Sequence, residues 1–256
     1  MSLVPFAVRI CTVRAMQAVM PSAVVVVDSP QEPLTLLDNS EPRPIIAVYT
    51  GAAQTKLDGR NLLGGMPMIA LTIQIILPET FAFPLTGGDP VVIDTRRQGA
   101  ETALDVLWRI GVLALNSGDE PWAELWRDFV QTTPTIKNHS YLVEREGVRI
   151  TAREVVIECE PIHEPVLGGV PEYAWARLIE LMKLDTAGDG LNTLGDWVEA
   201  EIRNGPDRAQ LKRDTAYLGL SEYVASSVRV DINPESVGLY EGEPLTEASA
   251  DPDREL

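Results

Sequence analysis

The chain has 256 residues, of which 45% are apolar, 23% charged and 6% aromatic, the composition of a globular protein and not of a disordered one. Its 38 acids against 21 Lys and Arg give a formal charge of −17, which argues against nucleic-acid binding as the main task, because phosphate contacts need clustered cations. Two cysteines and two histidines exclude a disulfide-stapled scaffold and an all-cysteine zinc site, and leave little for histidine chemistry.

Residues 7–20 read as an amphipathic helix, with Val8, Cys11 and Met16 on one face, ended by Pro21 and Ser22. Arg9 and Arg14 with no acid before Asp28 faintly resemble a targeting peptide. The Val-rich strand at residues 23–28, following at once, favours an ordinary first helix. A polar loop, Ser29–Glu41, leads to a second strand, Pro44–Thr50, and a Gly-containing loop, Gly51–Gly65. In the third strand Ile69, Leu71, Ile73 and Ile75 alternate with Ala70, Thr72 and Gln74, the period of two that marks a sheet with one apolar face. No apolar run reaches the roughly 18 residues of a membrane helix; Met66–Leu77 is interrupted by Pro67, Thr72 and Gln74.

After a second loop, Pro78–Asp94, the longest helix spans Arg96–Leu115. Ala100, Ala103, Leu104, Leu107, Ile110 and Ala114 form its core stripe, with Trp108, Val112 and Leu115 off it. A helix apolar on a second side should meet another element or another subunit. Pro121–Val130 is a shorter helix with Trp122 and Trp126 at i and i+4. These five residues, Trp108, Val112, Leu115, Trp122 and Trp126, are the candidate subunit-interface residues; for the tryptophan pair a core or subunit contact is a plainer reading than a ligand stack.

A hairpin follows: Ser140–Arg145, a turn at Glu146–Gly147, and Val148–Ile162. In its second strand the apolar parity changes between Ala152 and Val155. A β-bulge near Arg153–Glu154 and a strand covered on both faces are equally compatible with that change. Gly168, Gly169 and Pro171 mark a boundary. Helices are expected at Tyr173–Leu184, Leu194–Arg203 and Asp207–Leu218, then a strand at Tyr223–Ile232 and an acidic tail. Residues 171–256 hold 18 acids and 8 bases. The expected organisation is an α/β domain over 1–168, a helical extension over 169–239 with a possible final strand, and a tail over 240–256. The fold class is α+β: a small, mostly antiparallel sheet packed on a long helix, with a mainly helical C-terminal extension.

Chemical motifs are sparse. There is no GxxxxGK, GxGxxG, GxSxG or HExxH. Glu160 and His163 have ExxH spacing, but Pro161 and the strand pattern argue against the helix that would make them converge. Cys159 lies between two carboxylates, expected to raise its thiol pKa, the wrong direction for a nucleophile. Asp185–Gly190 with Asp196 echoes a calcium loop, yet Ala187 occupies a ligand position and Asp196 replaces the closing Glu; a Gly-rich helix-ending turn is the plainer reading. Asn138-His139-Ser140 matches the glycosylation pattern, with nothing to indicate secretion. No catalytic, metal or cofactor site is assigned.

The element order over residues 7–165, with Arg43-Pro-Ile-Ile-Ala-Val-Tyr-Thr50, Ala103-Leu-Asp-Val-Leu107 and Glu160-Pro161, resembles the tail terminator (tail completion) proteins of long-tailed bacteriophages. The resemblance lies in layout plus short motifs and does not reach residues 171–256. It implies a non-enzymatic virion protein without cofactor, located at the head-proximal end of the tail and in the host cytoplasm during assembly. It implies a ring, six-membered in that family, whose partners are further copies of the chain, the tail-tube protein and the head–tail connector. DNA would pass through the lumen without specific binding, and no membrane is involved. Alternatives are another connector or tube-like component, an α/β enzyme with a carboxylate site, and an acidic module that docks through its tail.

Overall fold

The computed structural model describes residues 3–38, 42–57, 65–83, 91–95, 99–145, 148–165 and 168–203. It is a mixed α/β structure: helices lie against one face of a five-stranded, mostly antiparallel sheet. In chain order the elements are α1 (Leu3–Val19), β1 (Val25–Asp28), a 3-10 helix (Pro33–Asp38), β2 (Ile45–Leu57), β3 (Gly65–Leu77), β4 (Thr80–Phe83), β5 (Val91–Asp94), α2 (Ala100–Ser117), α3 (Pro121–Phe129), β6 (Val130–Arg145), β7 (Val148–Pro161), α4 (Tyr173–Leu184) and α5 (Leu191–Arg203). The sheet order is β1-β2-β3-β7-β6, with only β1 and β2 parallel; β4 and β5 form a separate two-stranded ribbon.

The alternation in β3 sets the layering. Ile69, Leu71, Ile73, Ile75 and Leu77 face the helices together with Ile46 and Val48 of β2 and Val155, Ile157 and Cys159 of β7. Against them pack Leu104 and Leu107 of α2, Leu125 and Phe129 of α3, and much of α1. α1 is not amphipathic as expected: Leu3, Val4, Ala7, Val8, Ile10, Cys11, Thr12, Val13, Ala15 and Met16 are all buried, because the helix is enclosed by the sheet, α2 and α3. Buried Thr12 is satisfied within the helix, its hydroxyl donating to Val8 O at 2.8 Å. The helix also begins four residues before the expected start. The Glu164 carboxylate accepts from the Leu3 and Val4 amides at 3.0 and 3.2 Å, capping it from beyond β7, and Pro5 is tolerated in a first turn.

Residues 29–41 were expected to be loop, yet they hold the 3-10 helix. Its Leu34 and Leu37 cover a second apolar cluster on the opposite sheet face, Ile45, Ile76, Ile150 and Ala152. This settles the parity change in β7. β7 pairs with β3 without a register shift from Thr151 to Cys159, so there is no bulge at Arg153–Glu154. Ile150 and Ala152 face the second cluster, whereas Val155, Ile157 and Cys159 face the first.

Much of both expected central loops is strand. β2 and β3 continue through residues 51–57 and 65–68 past a register shift at Thr50/Ala53, and β4 and β5 occupy the other. The first hairpin strand starts at Val130, directly after α3, ten residues before the expected start at Ser140. α5 starts at Leu191, not Leu194. Trp175, Leu178 and Met182 of α4 and Val198 and Ile202 of α5 join the same buried cluster as the sheet and α1. Phe129 and Trp175 meet edge-to-face at 4.9 Å between centroids. The expected helix at Asp207–Leu218, the strand at Tyr223–Ile232 and the acidic tail lie outside the described residues.

Candidate functional site

The five candidate interface residues divide. Leu115 of α2 is buried within the chain, on the same stripe as Leu104 and Leu107; it is not off the stripe. Trp126 is likewise closed into the core. Their surface is consumed inside one copy and offers little to another. Trp108, Val112 and Trp122 are half-buried, the tryptophans packing on the core edge, whereas Val106 and Leu113 of α2 are exposed. On α2, therefore, Trp108 and Val112 flank the core stripe on one side, and the exposed Val106 and Leu113 flank it on the other.

Each chemistry-bearing residue has a local structural partner or is exposed. Glu160 accepts from the Thr132 hydroxyl at 2.6 Å, and His163 is exposed beyond the end of β7. Among the described residues no group of three His, Cys, Asp or Glu could hold a metal ion. Cys159 is buried, and burial pushes its thiol up to about 12. The direction matches the expectation but the cause differs, because Glu158 and Glu160 lie on the opposite sheet face. Cys11 is also raised, first by burial and then by Glu120 and Asp128. Neither thiol is poised as a nucleophile.

The calcium-like turn is filled from within. Arg14 of α1 places Nε 2.9 Å from Asp185 Oδ2 and Nη2 2.6 Å from Asp189 Oδ2, while Nη1 donates to Gln17 Oε1. Asp185 Oδ1 accepts from the Ala187 amide and Asp189 Oδ1 from the Leu191 amide, which are turn and helix-start contacts. Asp196 pairs with Lys183 of α4. A guanidinium occupies the charge balance that a divalent cation would need.

Sequence reasoning missed Arg153. It sits on the helix-facing side of β7, 8% exposed, opposite Ile75. Nη1 meets Asp105 Oδ1 at 2.6 Å, Nη2 meets Glu101 Oε2 at 2.7 Å, and Nε donates to Ser140 Oγ at 3.1 Å. The i, i+4 carboxylates of α2 grip one guanidinium, fixing the helix to the sheet. A cation at the point where the apolar parity changes was the available signal.

Beyond the 3-10 helix the outer-face residues Ala70, Thr72, Gln74 and Glu154 are half-buried among the described residues. A cavity of about 710 Å³ lies there, lined among others by Pro30, Leu34, Tyr49, Gln74, Tyr141 and Ala152. The Tyr49 hydroxyl donates to Pro30 O at 3.1 Å. Both phenols are raised, chiefly by burial; Tyr141 adds to the effect on Tyr49, and Glu154 to that on Tyr141. Farther along β7, Glu158 bonds Lys137 Nζ at 2.7 Å, and this bond holds its carboxyl below the usual range. Residues 58–64 and 84–90, parts of the two loops expected to make contacts, lie outside the described residues.

No protein-family model matches the chain, and no curated protein is significantly similar to it.

Proposed function

We propose that the chain is a structural virion protein of the tail-terminator kind: copies form a ring, six-membered by the resemblance, on the last ring of the tail tube. The ring ends tube growth, meets the head–tail connector on its other side and lets DNA pass without specific binding. One observation carries the reading. The order of helix, strands, long helix and hairpin builds a sheet-on-helix scaffold whose outer sheet face is only half-buried at Ala70, Thr72, Gln74 and Glu154, and whose α2 exposes Val106 and Leu113. Faces held by a rigid scaffold suit assembly, and a closed ring needs two complementary patches on every copy. A helical extension beyond β7 enlarges the terminator-like layout. A net negative surface suits a lumen through which DNA slides. Another connector or tube-like component would share the scaffold and differ by its position in the particle.

The test is native mass and negative-stain imaging of the protein alone and with its tail-tube protein. Rings, or tubes capped at one end, are the expected result. A protein that neither forms rings nor meets the tube refutes the reading. The cavity beside Tyr49 and Tyr141 supports a second reading, a small-molecule site in an α/β protein; saturable quenching of tyrosine fluorescence by one compound of a metabolite panel would favour it.

A further inference from the structure

The two edges of the five-stranded sheet are unlike. At one edge β1 is four residues long. Val25 N donates to Pro44 O and Ser29 N to Val48 O, so Val26 is turned to the open side, where its carbonyl accepts from Gln17 Nε2 at 3.0 Å. That edge is short and capped by a side chain.

The other edge, β6, has 16 residues, and among the described residues no strand pairs with its outer side. Natural sheets blunt such edges with prolines, bulges and free charges. Here the proline, Pro134, and both register shifts lie before Thr135. From Thr135 to Arg145 the strand runs in unbroken register with β7. Its Lys137 is engaged by Glu158 and is not a free gatekeeping charge. Residues 130–143 contain no acid, so this edge is a place where two chains of charge −17 can approach.

Two exposed apolar side chains stand on this stretch, Ile136 at 50% and Leu142 at 68%. Ile136 pairs with Ile157 and Leu142 with Thr151, so both stand on the helix-facing side. Their midpoint is His139. An antiparallel pairing of the strand with itself about His139 sets Ile136 opposite Leu142 of the second copy, twice. It sets Lys137 opposite Tyr141 of the second copy on the outer face, and His139 opposite itself. Directly opposed residues share a face, so each apolar residue gains an apolar neighbour in one step.

We infer that the β6 edge, over Thr135–Val143, is a self-complementary interface that joins two copies of this chain about a two-fold axis at His139 into one ten-stranded sheet. Main-chain hydrogen bonds supply the affinity and the Ile136–Leu142 pairs set the register. The capped β1 edge cannot serve as a matching strand, so the contact closes at two copies. It is distinct from the two different patches that a ring uses, and it stands whether or not the ring reading holds.

The test uses the full chain in solution. The expected mass by light scattering is twice the 28.0 kDa of one chain. His139→Cys should cross-link to itself under mild oxidation, because opposed Cβ atoms lie about 4.5–5.5 Å apart. Lys137→Cys should not, since its counterpart is four residues away along the strand, about 14 Å. Cys11 and Cys159 are buried and do not compete. Ile136→Lys with Leu142→Lys, both at exposed positions, should halve the mass with the far-ultraviolet dichroism unchanged. Cross-linking at position 137 in place of 139 would overturn the pairing, as would a ring whose His139→Cys form stays uncross-linked. A monomer whose β6 amides resist exchange would overturn it too, by showing that the chain covers its own edge. A dimer cross-linked at 139 that never meets a tail tube would sustain this inference while refuting the ring.

Discussion

Removing the cation from the α2 clamp should be far milder than removing its anions. Arg153 is 8% exposed, whereas the Glu101 and Asp105 side chains are 67% and 69% exposed. In Arg153→Met both carboxylates return to water, and the thioether replaces most of the apolar stem. Exchanging a buried ion pair for a hydrophobic side chain is close to neutral, so a cost within about 1 kcal/mol is expected. In Glu101→Ala with Asp105→Ala the guanidinium stays beneath α2 with only Ser140 as a partner. An uncompensated buried charge costs about 3–5 kcal/mol, offset by a few tenths because Ala favours the helix more than Asp. A net loss of about 3 kcal/mol in a chain of this size corresponds to a fall of about 6–12 °C in Tm. Adding Arg153→Met to the double variant should restore most of it. Thermal melts followed by far-ultraviolet dichroism for the four proteins give the comparison. If Arg153→Met melted below the double variant, Arg153 would not be a buried charge held by exposed carboxylates.

Three further outcomes are expected. Arg14→Ala strands Asp185, a side chain only 10% exposed, and should cost about 3 kcal/mol in urea unfolding; millimolar calcium should leave the melting of the native protein unchanged. Cys11 and Cys159, both raised by burial, should resist iodoacetamide at pH 8 in the folded protein and react fully in guanidinium, counted by mass spectrometry. Glu158 and Glu199 are held below the ordinary 4.5 by hydrogen bonds to Lys137 and Lys183. Their contribution is therefore complete above about pH 4.5 and is lost as pH falls through the lowered folded values. Glu158→Gln with Glu199→Gln should flatten the decline of stability below pH 4.5, and an unchanged acid limb would refute the pairing.

Where a segment buries one face, the sequence was legible. The isoleucine and leucine alternation of β3, the stripe of α2 through Leu104 and Leu107, and the ends of α4 could be read because each is driven by one buried surface. β6 was legible only from Ser140. Its first ten residues, Val130 to His139, lie on an edge where few side chains need burial, and they carry a proline, so no period of two is written there. The 3-10 helix was hidden for another reason: its role depends on Ile45, Ile76 and Ile150, which gather into one cluster only when the sheet forms. The same distance in sequence hid the interface outcome. Leu115 and Trp126 read as surplus apolar residues on their own helices, and both fall in the one buried cluster that α1, α2, α3 and the sheet share. Arg153 was visible as an oddity at the parity change, but its two partners are 48 and 52 residues away.

The cap on α1 has a consequence for synthesis. Glu164 stands 161 and 160 positions after the amides it holds, and the sheet that encloses α1 is complete only with β7. At about 5–20 residues per second, roughly 8–30 s separate the emergence of α1 from that of its cap. For that interval a segment apolar on nearly every side has no finished surface to rest on. Until β7 and Glu164 follow, the apolar sides of α1 lack the surfaces that bury them in the finished fold.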